Sequence, residues 1–232
     1  MTADQTPSPV TVTLVSGPPG TADIDDLELF YARRALARFR ARLGRQGLLD
    51  LLAADIEEGN ASLRESALAS DGSFRGGTTV LATQGDLKAS EFLVWMDEAF
   101  ADENVLLAAH PEHYSITNQA DGLVHVVENV GPHVSSFYLG GWGTEAMAWA
   151  ADADERLPEA DFPHKQATNL FLADGTIIGR VLIQFGDTED GFTSSLSVYM
   201  PTACPQDVLE HHLRHFAIEF KNWITAAAAA RS

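Results

Sequence analysis

The chain has 232 residues, with 33 acidic side chains against 15 Lys plus Arg and a formal charge of −18. Phosphate contacts need a basic surface, so neither nucleic acid nor an anionic membrane is an expected partner. With 45% hydrophobic residues the chain can bury a core, and its lone cysteine, Cys204, rules out an internal disulfide and multi-cysteine zinc sites.

Residues 1–22 are rich in Thr, Pro, Ser and Gly and lack a basic region followed by an apolar run, so a loose segment without a secretory signal is expected. No apolar stretch approaches the ~20 residues of a membrane span, and a cytoplasmic protein is expected. Residues 25–43 predict a helix, because Leu29, Ala32, Leu36, Phe39 and Leu43 repeat at 3-4-3-4 spacing. Arg33, Arg34, Arg38, Arg40, Arg42 and Arg45 follow one another with no acid between them. The rest of the chain holds 9 basic residues against 33 acidic ones, a field that repels phosphate. The arginine face therefore reads as one paired with acidic protein. A homodimer contact through the stripe and a core contact both fit the apolar face.

A second helix is expected over 47–58, mostly loop over 62–77, and a short strand over 78–83. Helical spacing returns over 88–109, with a break near Asp102. From Tyr114 the pattern becomes strand: 122–130, 134–139, 167–172, 176–185 and 192–200, with Asp174-Gly175 as a hairpin turn. Residues 140–162 read as irregular, and Asp187 to Gly191 as a solvated turn rather than a calcium loop. A last helix is expected over 205–227. Helices, then antiparallel strands, then a long helix predict one α+β domain over 23–232, with a curved antiparallel sheet wrapping the C-terminal helix and enclosing a cavity for an apolar or aromatic ligand.

The chemistry concentrates in the histidines, all of which lie between His110 and His215. On the last helix Glu219 falls inside the apolar arc of Val208, Leu209, Leu213, Phe216, Phe220, Trp223 and Ile224. A carboxylate aimed at a core is costly unless it is paired or bound to a metal. His215 lies one turn earlier at the edge of that arc, His212 points the same way, and His211 lies further round. His110, His113 and Tyr114 occur where a helix ends and a strand begins, with Pro111 pushing His110 out of helical geometry. In the strand that follows, Glu128 shares a face with Val124 and Val126. Two His and two Glu facing one cavity make a four-ligand nitrogen and oxygen site suited to zinc, manganese or iron. An ion pair between His215 and Glu219, with Glu128 in solvent, is the simpler alternative.

These residues resemble a family. The segments HPEHY and VVENVG, followed by a terminal helix with His-x-x-x-Glu-Phe-x-Asn-Trp, are similar to the phloretin hydrolase and diacetylphloroglucinol hydrolase family. The resemblance covers about 109–130 and 192–224. It implies a Bet v 1-like helix-grip fold and a zinc ion, or another divalent transition metal, held by two His and two Glu. It implies hydrolysis of the carbon–carbon bond between a phenolic ring and its acyl group, or of a related ketone. Carried over by position, Glu128, His215 and Glu219 are ligands; the fourth is His110 or His113, with His110 taken. Ring protonation needs an acid, for which His113, Tyr114 and His211 are candidates. Phe137, Tyr138, Trp142 and Trp223 are candidate pocket walls for a small aromatic substrate. The readings that compete are a helix-grip binding module without a metal and a cofactor-free cyclase or isomerase in the same cavity.

Overall fold

The computed structural model describes residues 14–15, 23–141 and 144–231, without the side chains of 144–147. The remaining residues, including most of the expected loose N-terminal segment and Trp142, lie outside the described residues. The chain divides into two compact units, Met1–Gly44 and Arg45–Ser232.

In the first unit the described chain is helix α1, which begins at Ile24 and continues to Leu51 across a kink at Gly44. Gly44 has φ 64°, a left-handed conformation that costs glycine little, and the helical hydrogen-bond ladder breaks there. No residue of α1 is buried.

The second unit is a seven-stranded antiparallel sheet with helices on its faces. Its elements are α2 (Ala53–Ala69), β1 (Phe74–Gln84), α3 (Ala89–Ala99), α4 (Glu103–Ala109), β2 (His113–Asn118), β3 (Val124–Val130), β4 (His133–Gly140), α5 (Thr144–Ala151), β5 (His164–Phe171), β6 (Ile177–Thr188), β7 (Gly191–Pro201) and α6 (Gln206–Ala230). The strand order is β1-β7-β6-β5-β4-β3-β2, so consecutive strands form a meander from β2 to β7 while β1 returns to pair with β7. The sheet curves around α6. This is the curved sheet around a terminal helix expected from the order of elements, and the helix-grip fold that the resemblance implies.

Local chemistry explains most boundaries. Asp102 accepts a hydrogen bond from the Asn104 N–H at 2.9 Å and caps α4, which is why the helical stretch breaks there. His110 is extended (φ −135°, ψ 138°) because Pro111 follows it, and α4 ends at Ala109. At the β5–β6 turn, Gly175 has φ 85° and Asp174 accepts from the Thr176 N–H, as that hairpin signal predicts.

Two expectations fail. Residues 62–77, read as loop, are the end of α2 and the start of β1. Small and polar residues gave them no periodicity, but tertiary packing decides: a Cβ at Gly59 would collide with the Val134 carbonyl, so α2 lies hard against β4. There the Asn60 side chain accepts the Ser136 N–H at 3.0 Å. This occupies part of β4, which pairs with β5 only from Tyr138 to Gly140. Residues 140–162, read as irregular, contain α5, which packs on the outer sheet face with Trp149 edge-on to Tyr199 at 5.2 Å.

The main core lies between the inner sheet face and α3, α4 and α6. Phe92 of α3 is fully buried and touches Phe185, Phe192 and Phe220 at centroid distances of 5.6, 5.8 and 6.4 Å. Truncating it to Ala removes contacts with three elements at once. The expected cost is about 4 kcal/mol, read by chemical denaturation.

Candidate metal centre

Four elements converge at one end of the cavity. Helix α6 buries Val208, Leu209, His212, His215, Phe216, Glu219, Phe220, Trp223 and Ile224 along one face. Strand alternation turns Glu128 inward with Val124, Val126 and Val130. The short turn after α4 brings His113 onto β2 directly opposite Glu128 in the strand register.

The His113 ring is fully buried, and its Nδ1 lies 3.0 Å from the Leu106 carbonyl oxygen. A carbonyl only accepts, so Nδ1 carries the proton and Nε2 presents a bare lone pair. That Nε2 faces His215 Nε2 at 2.9 Å, Glu128 Oε2 at 3.5 Å and Glu219 Oε1 at 3.7 Å. His215 Nε2 lies 3.7 Å from Glu128 Oε2. All four side chains are buried.

The electrostatics of the cluster are set first by burial. Burial, with Glu112 as a lesser cause, pushes the Glu128 carboxyl up to about 8. Burial and then Glu128 push Glu219 well above the usual carboxylate range. Burial, followed by the neighbouring histidines, holds His215 well below its usual value, so the ring is neutral. Neutral imidazole is the form that ligates. No Lys or Arg forms an ion pair with either carboxylate among the described residues. His215 Nδ1 is buried without a hydrogen-bond partner.

These donors fit a divalent transition metal. Ligand atoms around a tetrahedral zinc at ~2.1 Å stand roughly 3.4 Å from one another; those of His113, Glu128 and His215 all lie within 4.8 Å of one another, and Glu219 adds an oxygen 3.7 Å from His113 Nε2. His113 also has the outer hydrogen bond to a backbone carbonyl that metal-bound histidines commonly make.

The sequence-predicted residues fall into two groups. Glu128, His215 and Glu219 come together as expected. The histidine that lies between them is His113, the alternative to His110 as fourth ligand and also one of the acid candidates. His110 is buried beside the cluster, but its Nδ1 accepts the Glu112 N–H at 3.1 Å. A neutral ring so engaged carries its proton on Nε2 and has no bare lone pair left. Its ring also stacks on His215 with centroids 3.7 Å apart and planes 17° apart, and ligand atoms of His110, Glu112 and His215 form a second group within 4.8 Å of one another.

The other two acid candidates point elsewhere. Tyr114 follows the inward His113 on β2, and its hydroxyl donates to Asn129 at 2.8 Å on the other sheet face. His211 is exposed and sits near Glu112, whose carboxyl is raised by burial and lowered by that histidine. The residue that the sequence places on this side without giving it a role is His212. It is buried on the cavity wall, its Nδ1 has no partner, and burial followed by His110 lowers it to about 4. The signal was present: His212 and Glu219 are two turns apart and about 20° apart around the helix.

The rest of the cavity, about 100 Å³ in volume, is almost wholly apolar. Phe137 and Trp223 line it as expected, together with Phe92, Phe216 and Phe220, while Gln166 stands at its exposed rim. Tyr138 does not line it; it packs on the outer face between His125 and Phe171. Cys204 is buried away from the cluster, and burial raises its thiol, which argues against a nucleophile there.

No family model and no curated protein matches the sequence. Among solved structures, the chain is similar to Ara h 8.0201, at 9% identity over 68% of this chain and 99% of that one, with a TM-score of 0.44. It is also similar to an AHSA1-like protein from Aeromonas hydrophila, at 13% identity over 66% and 94% of the two chains, with a TM-score of 0.40. Among the described residues no helix is long and apolar enough to cross a membrane.

Proposed function

We propose that this protein is a metal-dependent hydrolase that cleaves the carbon–carbon bond between an aromatic ring and an acyl group in an acylated phenol or related ketone. The observation that carries this reading is the buried quartet of His113, Glu128, His215 and Glu219, with the His113 tautomer set by the Leu106 carbonyl. Zinc is the ion the donor set suits best. When bound, such an ion supplies a Lewis acid for the acyl carbonyl and a more acidic water.

The chain's own residues supply the remainder. Glu128 and Glu219, as carboxylates, would hold such an ion together with His113 and His215 and would balance its charge. The aromatic and aliphatic walls hold the ring of the substrate and keep bulk water from it. Hydrolysis adds hydroxyl to the acyl carbon, giving a carboxylic acid, and hydrogen to the ring carbon as the bond between them breaks. His212, neutral and facing the cavity, takes up the proton that water loses as it adds to the acyl carbon and passes that proton to the ring carbon as the bond breaks.

A second reading is favoured by the apolar lining alone: a binding module for a small apolar molecule, without chemistry. Metal analysis of the untagged protein after incubation with zinc separates the two. About one ion per chain, with carboxylic acid released from an acylated phenol only in the metal-loaded form, is expected. Metal content far below one per chain sinks the hydrolase reading and leaves the binding module.

A further inference from the structure

Helix α6 brings His215 and Glu219 to the quartet, and β2 brings His113. The gap between these elements is set by the turn that joins α4 to β2. Only residues 110–112 separate Ala109, the last residue of α4, from His113. Helix α4 is seven residues long. That is below the ~12 residues at which a helix begins to hold by itself, so tertiary ties fix its place. Its first turn is tied to β2, where the Glu103 carboxylate accepts the Ser115 hydroxyl at 3.0 Å and the Ile116 N–H at 3.3 Å.

Its last turn is tied to α6. The final four carbonyls of a helix have no partner within it. In α4 the Leu106 carbonyl accepts the His113 ring N–H, and the Ala109 carbonyl accepts the Asn222 side-chain N–H at 2.6 Å. The Asn222 amide is oriented for this contact, because its oxygen accepts from Lys221 Nζ at 3.2 Å and its nitrogen is left to donate. Asn222 is half-buried and lies two turns beyond His215, about 20° round the helix. One turn of α4 thus holds both the carbonyl that fixes the His113 tautomer and the carbonyl that α6 grips.

On the reading of the quartet as a metal centre, we propose that Asn222 is its positioning residue: it ties the end of α4 to α6 and so holds His113 Nε2 at the distance from His215 and Glu219 that one ion requires. It acts on His113 through the last turn of α4 and not by contact with the ion. The same hydrogen bond also stabilises the metal-free fold, so a loss of stability alone does not test the role.

The test is the zinc affinity of the full-length protein, measured by competition with a chromogenic chelator, together with the visible spectrum of the cobalt-loaded protein, which reports the number and arrangement of ligands. The wild type is expected to bind one zinc per chain. Asn222→Ala, a helix-favouring change, is expected to keep its helix content, to bind zinc about tenfold more weakly and to shift the cobalt bands in position and intensity. Asn222→Gln, which keeps a donor amide, is expected to recover most of the affinity. Asn222→Ser, too short to reach the carbonyl, repeats the measurement if Asn222→Ala fails to fold. Zinc affinity and cobalt bands unchanged in a folded Asn222→Ala or Asn222→Ser variant, whatever the fall in its urea midpoint, overturn the proposal and leave Asn222 a structural tie. A wild type that binds no zinc overturns the metal-centre reading itself and the proposal with it.

Discussion

Replacing His113 with Ala is expected to abolish metal retention, whereas replacing His110 with Ala leaves the ion in place. The two histidines are three residues apart and both are buried, so composition and burial do not distinguish them. Their hydrogen bonds do. His113 gives its Nδ1 proton to Leu106 and turns a lone pair toward Glu128, Glu219 and His215. His110 spends its lone pair on the Glu112 N–H. Loss of a ligand is expected to weaken zinc by more than about 100-fold, the upper end of what loss of a mere supporting contact costs. At zinc levels that saturate the wild type a thousandfold, a 100-fold loss removes about 2.7 of the ~4 kcal/mol of metal-linked stability, and a thousandfold loss removes almost all of it. The zinc-induced rise in Tm should vanish in His113→Ala and persist in His110→Ala, and metal content should follow. The opposite pattern would return His110 to the ligand set.

The metal-free protein is expected to lose stability as the pH rises from about 6.5 to 8. Glu128 titrates near 8 in the folded chain and at 4.5 when unfolded. Over that interval the folded state holds a proton that the unfolded state has released. Its contribution is therefore complete below 4.5 and lost as the pH climbs through 8. Glu219 shifts in the same direction. His212, lowered to about 4, and His215 act oppositely, since the unfolded chain takes up their protons below 6.5. The glutamates thus stand alone between 6.5 and 8, where one such group accounts for about 2 kcal/mol. Urea titrations of metal-free protein at the two pH values should show the loss. Glu128→Gln, which cannot ionise, should flatten it. A stability that rises across this interval would mean that the carboxylates are already ionised and paired without a metal.

Much of this molecule is legible in local chemistry. The caps and turns at Asp102, Pro111 and Gly175 mark boundaries that a reader of residues can find, because each acts over two or three positions. Strand alternation points Glu128 inward, and helical period points His215 and Glu219 the same way. The α+β order and the sheet around a terminal helix follow from the same patterns. The stretch 62–77 was not legible, because its small and polar residues carry no periodic signal, while α2 as a whole is set by the close fit of Gly59, earlier in the same helix, against β4. Nor was α5, whose short apolar run is helical against the outer face of the sheet.

By itself, then, the sequence determined which faces are apolar, where carboxylates turn inward and that His and Glu gather near one cavity, since these depend on period and on residues close in the chain. Only the tertiary structure decided which histidine completes the quartet and which one faces the cavity wall. Those choices rest on the Leu106 carbonyl, the Glu112 N–H and the rotation of α6 against β2 and β3. A ring nitrogen's lone pair is assigned by what it meets in space, and no spacing along the chain encodes that.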